Sequence, residues 1–98
     1  MKIYYVYILR CADDSYYTGF TSNLEKRMIA HQNGNYTDSY TYSRRPIKLM
    51  FYTEFTEPHL AIATEKQIKK WSRAKKEALI RREYDSLCHL SKKKFTPK

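Results

Sequence analysis

The hydrophobic pattern is densest at the N-terminus. Tyr4-Tyr5-Val6-Tyr7-Ile8-Leu9-Arg10-Cys11 and Ser15-Tyr16-Tyr17-Thr18-Gly19-Phe20-Thr21 are rich in aromatic and β-branched residues, and the polar Ala12-Asp13-Asp14 separates them. Two such runs around a short polar break predict a β-hairpin. Loop length decides which side chains share a face. A two-residue loop pairs Tyr7 with Phe20 and separates Tyr7 from Tyr17. A three-residue loop whose last residue is left-handed pairs Cys11 with Ser15, Tyr7 with Gly19 and Leu9 with Tyr17. Asp tolerates the left-handed region better than most residues, so the longer loop is expected. It places Tyr5, Tyr7, Tyr17 and Gly19 on one face, and Gly19 leaves space in front of Tyr7 for a close approach.

Further along, the period changes to that of a helix. Ser22-Asn23-Leu24-Glu25 reads as a capping box with Ser22 as N-cap. Leu24 and Met28 share an apolar stripe with Arg27 and His31 at its margin, and Asn33-Gly34 is a stop signal. A helix over about 23–33 is predicted. Residues 34–46 form an aperiodic polar loop with Tyr36, Tyr40, Tyr42 and the pair Arg44-Arg45. Residues 47–55 alternate, with Ile47, Leu49, Phe51 and Phe55 against Lys48, Tyr52 and Glu54, which predicts a third strand. Thr56 then caps a second helix with Pro58 in its first turn, running to about Lys70 or Trp71. Leu60, Thr64, Ile68 and Trp71 form its expected inner stripe, with Glu65 beside it. Ser72 caps a third helix over about 73–84, with Ala74, Ala78, Leu79 and Tyr84 as its apolar positions. The order β-β-α-β-α-α predicts an α/β protein of the α+β type, a small three-stranded antiparallel sheet with flanking helices. One domain over 1–87 and a basic tail over 88–98 are expected.

Composition narrows the partners. The 98 residues carry 19 Lys and Arg against 10 Asp and Glu, a net charge of +9. That excess on a small domain points to a polyanion, most often nucleic acid. The tyrosines and arginines of the 34–46 loop suit it, since rings stack on bases and guanidinium groups grip phosphates. Lys69, Lys70, Arg73, Lys75 and Lys76 add a basic cluster. The two cysteines, Cys11 and Cys88, have no zinc spacing, so no zinc site and no disulfide are expected. With no signal region and no apolar run of about 20 residues, a cytoplasmic protein without membrane contact is the expectation.

The chain resembles the GIY-YIG endonuclease superfamily. The GIY triplet reads Tyr5-Val6-Tyr7 and the YIG triplet Tyr17-Thr18-Gly19, followed by Arg27-x-x-x-His31 and a later helix carrying Glu65. Leu9-Arg10-Cys11-Ala12-Asp13, Arg44-Arg45-Pro46 and Ser72 to Ile80 are similar to the small stand-alone, YhbQ-like branch. Tyr5 replaces the first glycine, Thr18 replaces the middle isoleucine, and the Asn-Pro that often follows the last helix is missing. The resemblance implies hydrolysis of DNA phosphodiesters, in repair or in processing branched or single-stranded DNA. It implies Tyr7 as general base, Tyr17 as orienting group, His31 as an aid to phosphate or proton handling, and Tyr40 as a further site residue. Glu65 would hold one Mg²⁺ or Mn²⁺, leaving most of the coordination shell to water and phosphate. Arg27 would grip the scissile phosphate. Gly19, Arg44, Arg45, Lys69, Lys70 and Arg73 would contact nucleic acid, DNA rather than RNA.

Each residue also has an ordinary structural explanation. The tyrosines of the hairpin fit as packing with wet hydroxyls. Glu65 fits as an i,i+4 partner of Lys69 on a solvated face, and Arg27 and His31 fit as helix-surface residues. Trp71 reads as a core anchor, and His59 and His89 read as surface. A nucleic-acid-binding module that cleaves nothing is the competing function. A protein-interaction adaptor rests on the exposed tyrosines alone.

Overall fold

A computed structural model describes residues 2–35 and 39–82. The expected domain end at Leu87, the basic tail over 88–98, and Tyr36 and Tyr84 lie outside the described residues. Strands β1 (Tyr4–Arg10), β2 (Tyr16–Thr21) and β3 (Lys48–Phe55) form one antiparallel sheet in the order β2-β1-β3. Helix α1 (Leu24–Asn33) packs on one face, and helices α2 (Pro58–Lys69) and α3 (Arg73–Ile80) pack on the other. The fold is the expected three-stranded α+β sheet with its three helices.

The hairpin adopts the three-residue loop. Asp14 has φ 66°, its N–H donates to the Cys11 carbonyl, and Cys11 N–H donates to the Ser15 carbonyl at 2.8 Å. Tyr7 therefore faces Gly19, and Leu9 faces Tyr17. Side chains from outside lock the turn. Arg10 binds Asp14 Oδ1 at 2.6 Å, Arg44 binds Asp13 Oδ2 at 3.0 Å, and Arg73 donates to the Asp14 carbonyl.

Because β1 is central and covered on both faces, Val6, Tyr7, Ile8 and Leu9 are all fully buried. Alternation divides them between two cores. Val6 and Ile8 join Phe51, Ala61, Ile68, Trp71, Ala78 and Leu79 beneath α2 and α3. Tyr7 and Leu9 join Cys11 and Ile47, with Leu24, Met28, Tyr17 and Leu49 packed around them beneath α1. Trp71 is the core anchor expected.

Several local expectations are corrected. Strand β3 does not keep one apolar face. A bulge between its pairings Ile8–Phe51 and Leu9–Leu49 turns Ile47 and Leu49 to the α1 side, while Phe51 stays on the other. The extra residue flips the parity, which uninterrupted alternation cannot reveal. The N-cap of α1 is Asn23, not Ser22, and its side chain accepts from Lys26 N–H. Thr21, one strand position earlier, accepts from Asn23 N–H and so fixes the cap one residue on. Likewise Glu57, not Thr56, caps α2 by accepting from His59 N–H, with Pro58 as the first helical residue. On α2 the buried position is Ala61, while Leu60 is 59% exposed. A methyl group lets the helix lie close to the sheet, where leucine would hold it off. On α3, Ala74 is exposed for the same reason of phase, and the helix ends at Ile80. Gly34 at φ 71° ends α1 and Ser72 caps α3, both as expected.

One buried group lacks a partner among the described residues, the Oγ1 of Thr18 on the α2-facing side of β2. An unpaired buried hydroxyl costs about 1–3 kcal/mol. Thr18→Val keeps the shape and deletes the hydroxyl. It is expected to raise stability by about 1 kcal/mol, read as a higher denaturant midpoint at unchanged slope. A lower midpoint would mean that the hydroxyl has a partner.

Candidate active site

The α1-facing side of the hairpin gathers the tyrosines that the sequence grouped. Tyr7 is completely buried, and its ring lies across Gly19. A Cβ on Gly19 would sit 2.3 Å from both Cζ and the hydroxyl oxygen of Tyr7. The space expected in front of Tyr7 at Gly19 is filled by the Tyr7 ring itself, and Gly19 is buried rather than open to a ligand. This crossing carries the phenol toward the outer edge of the sheet.

There it meets helix α1. His31 is 2% exposed, and its Nε2 lies 3.1 Å from the Tyr7 hydroxyl. Its Nδ1 lies 2.9 Å from Thr41 Oγ1 in the loop between α1 and β3. Tyr17 stands against both rings, with centroids 6.4 Å from Tyr7 and 5.6 Å from His31. Tyr40 stacks on Tyr17 at 6.2 Å and closes the cluster toward solvent. Four of the expected catalytic residues, Tyr7, Tyr17, His31 and Tyr40, therefore share one site. Arg27, one turn before His31, completes it electrostatically. Burial is the main cause that pushes the His31 pKa below its usual value, and the nearby Arg27 charge adds to it.

Glu65 stands on α2, and its described partner is Lys69 rather than a member of this cluster. Its Oε2 pairs with Lys69 Nζ at 2.8 Å, the i,i+4 contact that the sequence offered as an alternative. The face is not solvated, however, since the Glu65 side chain is only 12% exposed. The hydrogen bond to Glu65 is the main cause that holds the Lys69 pKa above its usual value. Among the described residues, no three His, Cys, Asp or Glu side chains converge as metal ligands. One half-buried carboxylate nevertheless fits a hard, hydrated cation that takes the rest of its shell from water and phosphate.

Three of the basic residues expected to contact nucleic acid make contacts within the protein. Arg44 donates to the Tyr40 carbonyl at 2.9 Å, binds Asp13 and lies 3.9 Å over the Tyr40 ring. Arg45 donates to the Tyr42 carbonyl at 2.8 Å and covers the Tyr42 ring. Arg73 holds the hairpin turn, pairs with Glu77 and covers Tyr16. Lys70 is exposed. Thr41 was not among the expected site residues. A threonine between two tyrosines in a polar loop carries no periodic signal, and burial alone reveals it.

With this geometry in place, similarity to other proteins is informative. The GIY-YIG catalytic domain pattern matches residues 3–78, which hold the three strands, α1, α2 and all but the end of α3. The chain belongs to the GIY-YIG family. Within the family it is 48% identical over 77 residues to the UPF0213 protein of Syntrophus aciditrophicus, covering 79% of this chain and 88% of that protein. The UPF0213 protein of Clostridium perfringens is 49% identical over 76 residues, covering 78% and 81%. The solution NMR structure of the UPF0213 protein of Bacillus halodurans superposes with TM-score 0.53 at 38% identity, covering 80% of this chain and 82% of that one. A solution NMR structure of a protein from E. faecalis gives TM-score 0.58 at 30% identity, covering 99% and 97%. These relatives place the chain in the small stand-alone GIY-YIG group, within a nuclease superfamily. Among the described residues, no helix is long and apolar enough to cross a membrane.

Two outcomes follow from the site as built. Gly19→Ala is expected to cost about 1–3 kcal/mol, because the methyl group displaces the Tyr7 ring; an unchanged denaturant midpoint would contradict the crossing. The second concerns pH. Folded His31 binds a proton less readily than in the unfolded chain, so below about pH 6.5 the unfolded state takes up more protons. Its contribution to stability is therefore present above that pH and declines as pH falls, by up to about 1.4 kcal/mol per unit. Unfolding midpoints at about pH 7.5 and about pH 5.5 should differ more for the wild type than for His31→Gln. Equal differences would place the titration elsewhere.

Proposed function

We propose that this protein is a metal-dependent endonuclease that hydrolyses DNA phosphodiester bonds, with a role in repair or in processing branched or single-stranded DNA. The observation that carries the reading is the pairing of the Tyr7 hydroxyl with His31 Nε2 at 3.1 Å inside a wall of tyrosines. A phenol with a base at its hydroxyl is the arrangement a proton-accepting group needs. Free tyrosine has a pKa near ~10, so action near neutral pH requires nearby positive charge. Arg27 supplies such charge and donates to the scissile phosphate. Tyr17 and Tyr40 orient the attacking water and cover the site. Glu65 holds one Mg²⁺ or Mn²⁺, which when bound neutralises charge on the phosphoryl oxygens. Lys69 and Lys70 would contact the DNA backbone.

The engagement of the site residues within the protein favours a second reading, a nucleic-acid-binding module that does not cleave. Tyr7 has no exposed surface, Glu65 is paired with Lys69, and Arg44 and Arg45 are both engaged within the protein. For cleavage, Tyr17 and Tyr40 must turn aside to admit a water.

A panel of single-stranded, duplex, flap and four-way-junction DNA, with RNA alongside, separates the two readings. With Mg²⁺ or Mn²⁺ the wild type is expected to nick at least one DNA form, and a chelator should stop it. Glu65→Ala and Tyr7→Phe should each lower cleavage by about 10²-fold or more while salt-dependent binding survives. Binding without cleavage of any form, with either metal, would establish the module instead.

A further inference from the structure

Thr41 has no part in the chemistry assigned above, yet it is only 1% exposed and lies among the most buried side chains. A buried hydroxyl is normally hydrogen-bonded, and this one joins a chain. Its Oγ1 is 2.9 Å from His31 Nδ1 and 3.1 Å from Ser39 Oγ. Ser39 Oγ also accepts from Thr41 N–H at 3.3 Å, which holds the serine oxygen in place. On the far side of the imidazole, Nε2 meets the Tyr7 hydroxyl. One continuous path therefore runs from Tyr7 through His31 and Thr41 to the half-buried Ser39.

The direction of this path is constrained. A neutral imidazole has one N–H donor and one bare nitrogen acceptor. Burial and the Arg27 charge both keep His31 neutral at rest. Among the described residues, the groups facing it include Tyr7 from β1, Tyr17 from β2, Arg27 on its own helix and Thr41 from the loop. A phenol is more acidic than an aliphatic alcohol, so it donates better and accepts worse. With Tyr7 donating to Nε2, Nδ1–H donates to Thr41, whose own hydroxyl proton is then free to go to Ser39.

We propose that Thr41 is the positioning residue that keeps the resting proton of His31 on Nδ1, so that the lone pair of Nε2 faces the Tyr7 hydroxyl and can take its proton. The role in catalysis rests on the nuclease reading above. In that reaction the Tyr7 O–H bond breaks as the Nε2–H bond forms. The imidazolium keeps its second proton on Nδ1 through the bond to Thr41, and no other bond changes in this step. Without the threonine hydroxyl, Nδ1–H would be buried without this acceptor. The tautomer with the proton on Nε2 would then be favoured, and it has no lone pair to offer Tyr7.

Nitrogen NMR of the ¹⁵N-labelled full chain reads the tautomer directly and needs no substrate. At about pH 7.5, where an ordinary imidazole is neutral, the wild type should show His31 protonated on Nδ1 and bare on Nε2. Thr41→Val should shift the proton toward Nε2, and Thr41→Ser should restore the wild-type pattern; Thr41→Ala serves if the valine variant fails to fold. Cleavage should fall by about 10²-fold in Thr41→Val and recover in Thr41→Ser. A wild-type His31 protonated on Nε2, or an unchanged tautomer in the folded Val or Ala variant, overturns the proposal. A normal cleavage rate in a variant whose tautomer has shifted overturns its link to catalysis. A wild type that cuts nothing overturns the nuclease reading, and the tautomer alone then decides the role of Thr41.

Discussion

The hydroxyl of Tyr7 lies in the middle of a strand covered on both faces, so it must find its partner inside the protein. That requirement reaches far along the chain. Only a residue without a side chain at position 19 lets the ring cross strand β2 to reach His31. Only the hairpin register set by Asp14 places Gly19 opposite Tyr7. His31 in turn uses its second nitrogen on Thr41, which ties the loop between α1 and β3 to the sheet. The tyrosine wall is therefore as much a structural necessity as a chemical opportunity. The packing explanation of the hairpin tyrosines and the catalytic one describe the same contacts.

What was legible in the sequence follows from local physics. Asp14 marks the turn because few residues tolerate a positive φ, and the turn then fixes every facing pair in the hairpin. Gly34 and Ser72 mark helix ends for similarly local reasons. What was hidden depends on partners distant in sequence. The bulge in β3 leaves Ile47, Leu49 and Phe51 looking like one stripe, although the sheet divides them between two cores. The choice between Ser22 and Asn23 as cap was settled by Thr21, a strand residue. Ala61 replaces Leu60 at the interface because helix and sheet come close, and size alone argues the opposite way. At the site, Tyr7, Tyr17 and His31 were found because their spacing matches a family pattern. Thr41 was missed because it is buried by a loop whose path no local rule predicts.

The positive charge also divides into two kinds. Arg44, Arg45 and Arg73 spend their donors on backbone carbonyls and carboxylates of the protein, and each also lies over a tyrosine ring. Planar guanidinium groups suit such combined contacts. They brace the hairpin turn and the long loop around the tyrosine wall. Of the lysines of α2 and α3, Lys69 pairs with Glu65 and Lys75 lies over the Trp71 ring. Burial pushes the Lys76 pKa down, and the nearby Lys69 charge adds to it. Like charges held close together stay costly until an anion arrives, and a phosphate backbone relieves that repulsion. The arginines thus brace the site from within the protein.

Tyr40 stands where these two systems meet. Its ring stacks on Tyr17, which covers Tyr7, and Arg44 lies on its ring while binding its carbonyl. The same Arg44 is paired with Asp13 in the hairpin turn at a half-exposed position, where an ion pair contributes little. A phosphate near Arg44 would compete with Asp13 for the guanidinium group. Moving that group would loosen the loop that holds Tyr40 against Tyr17. Tyr7 gains access to water only if these outer rings shift. The arrangement thus keeps the phenol covered by Tyr17 and Tyr40 and held against His31.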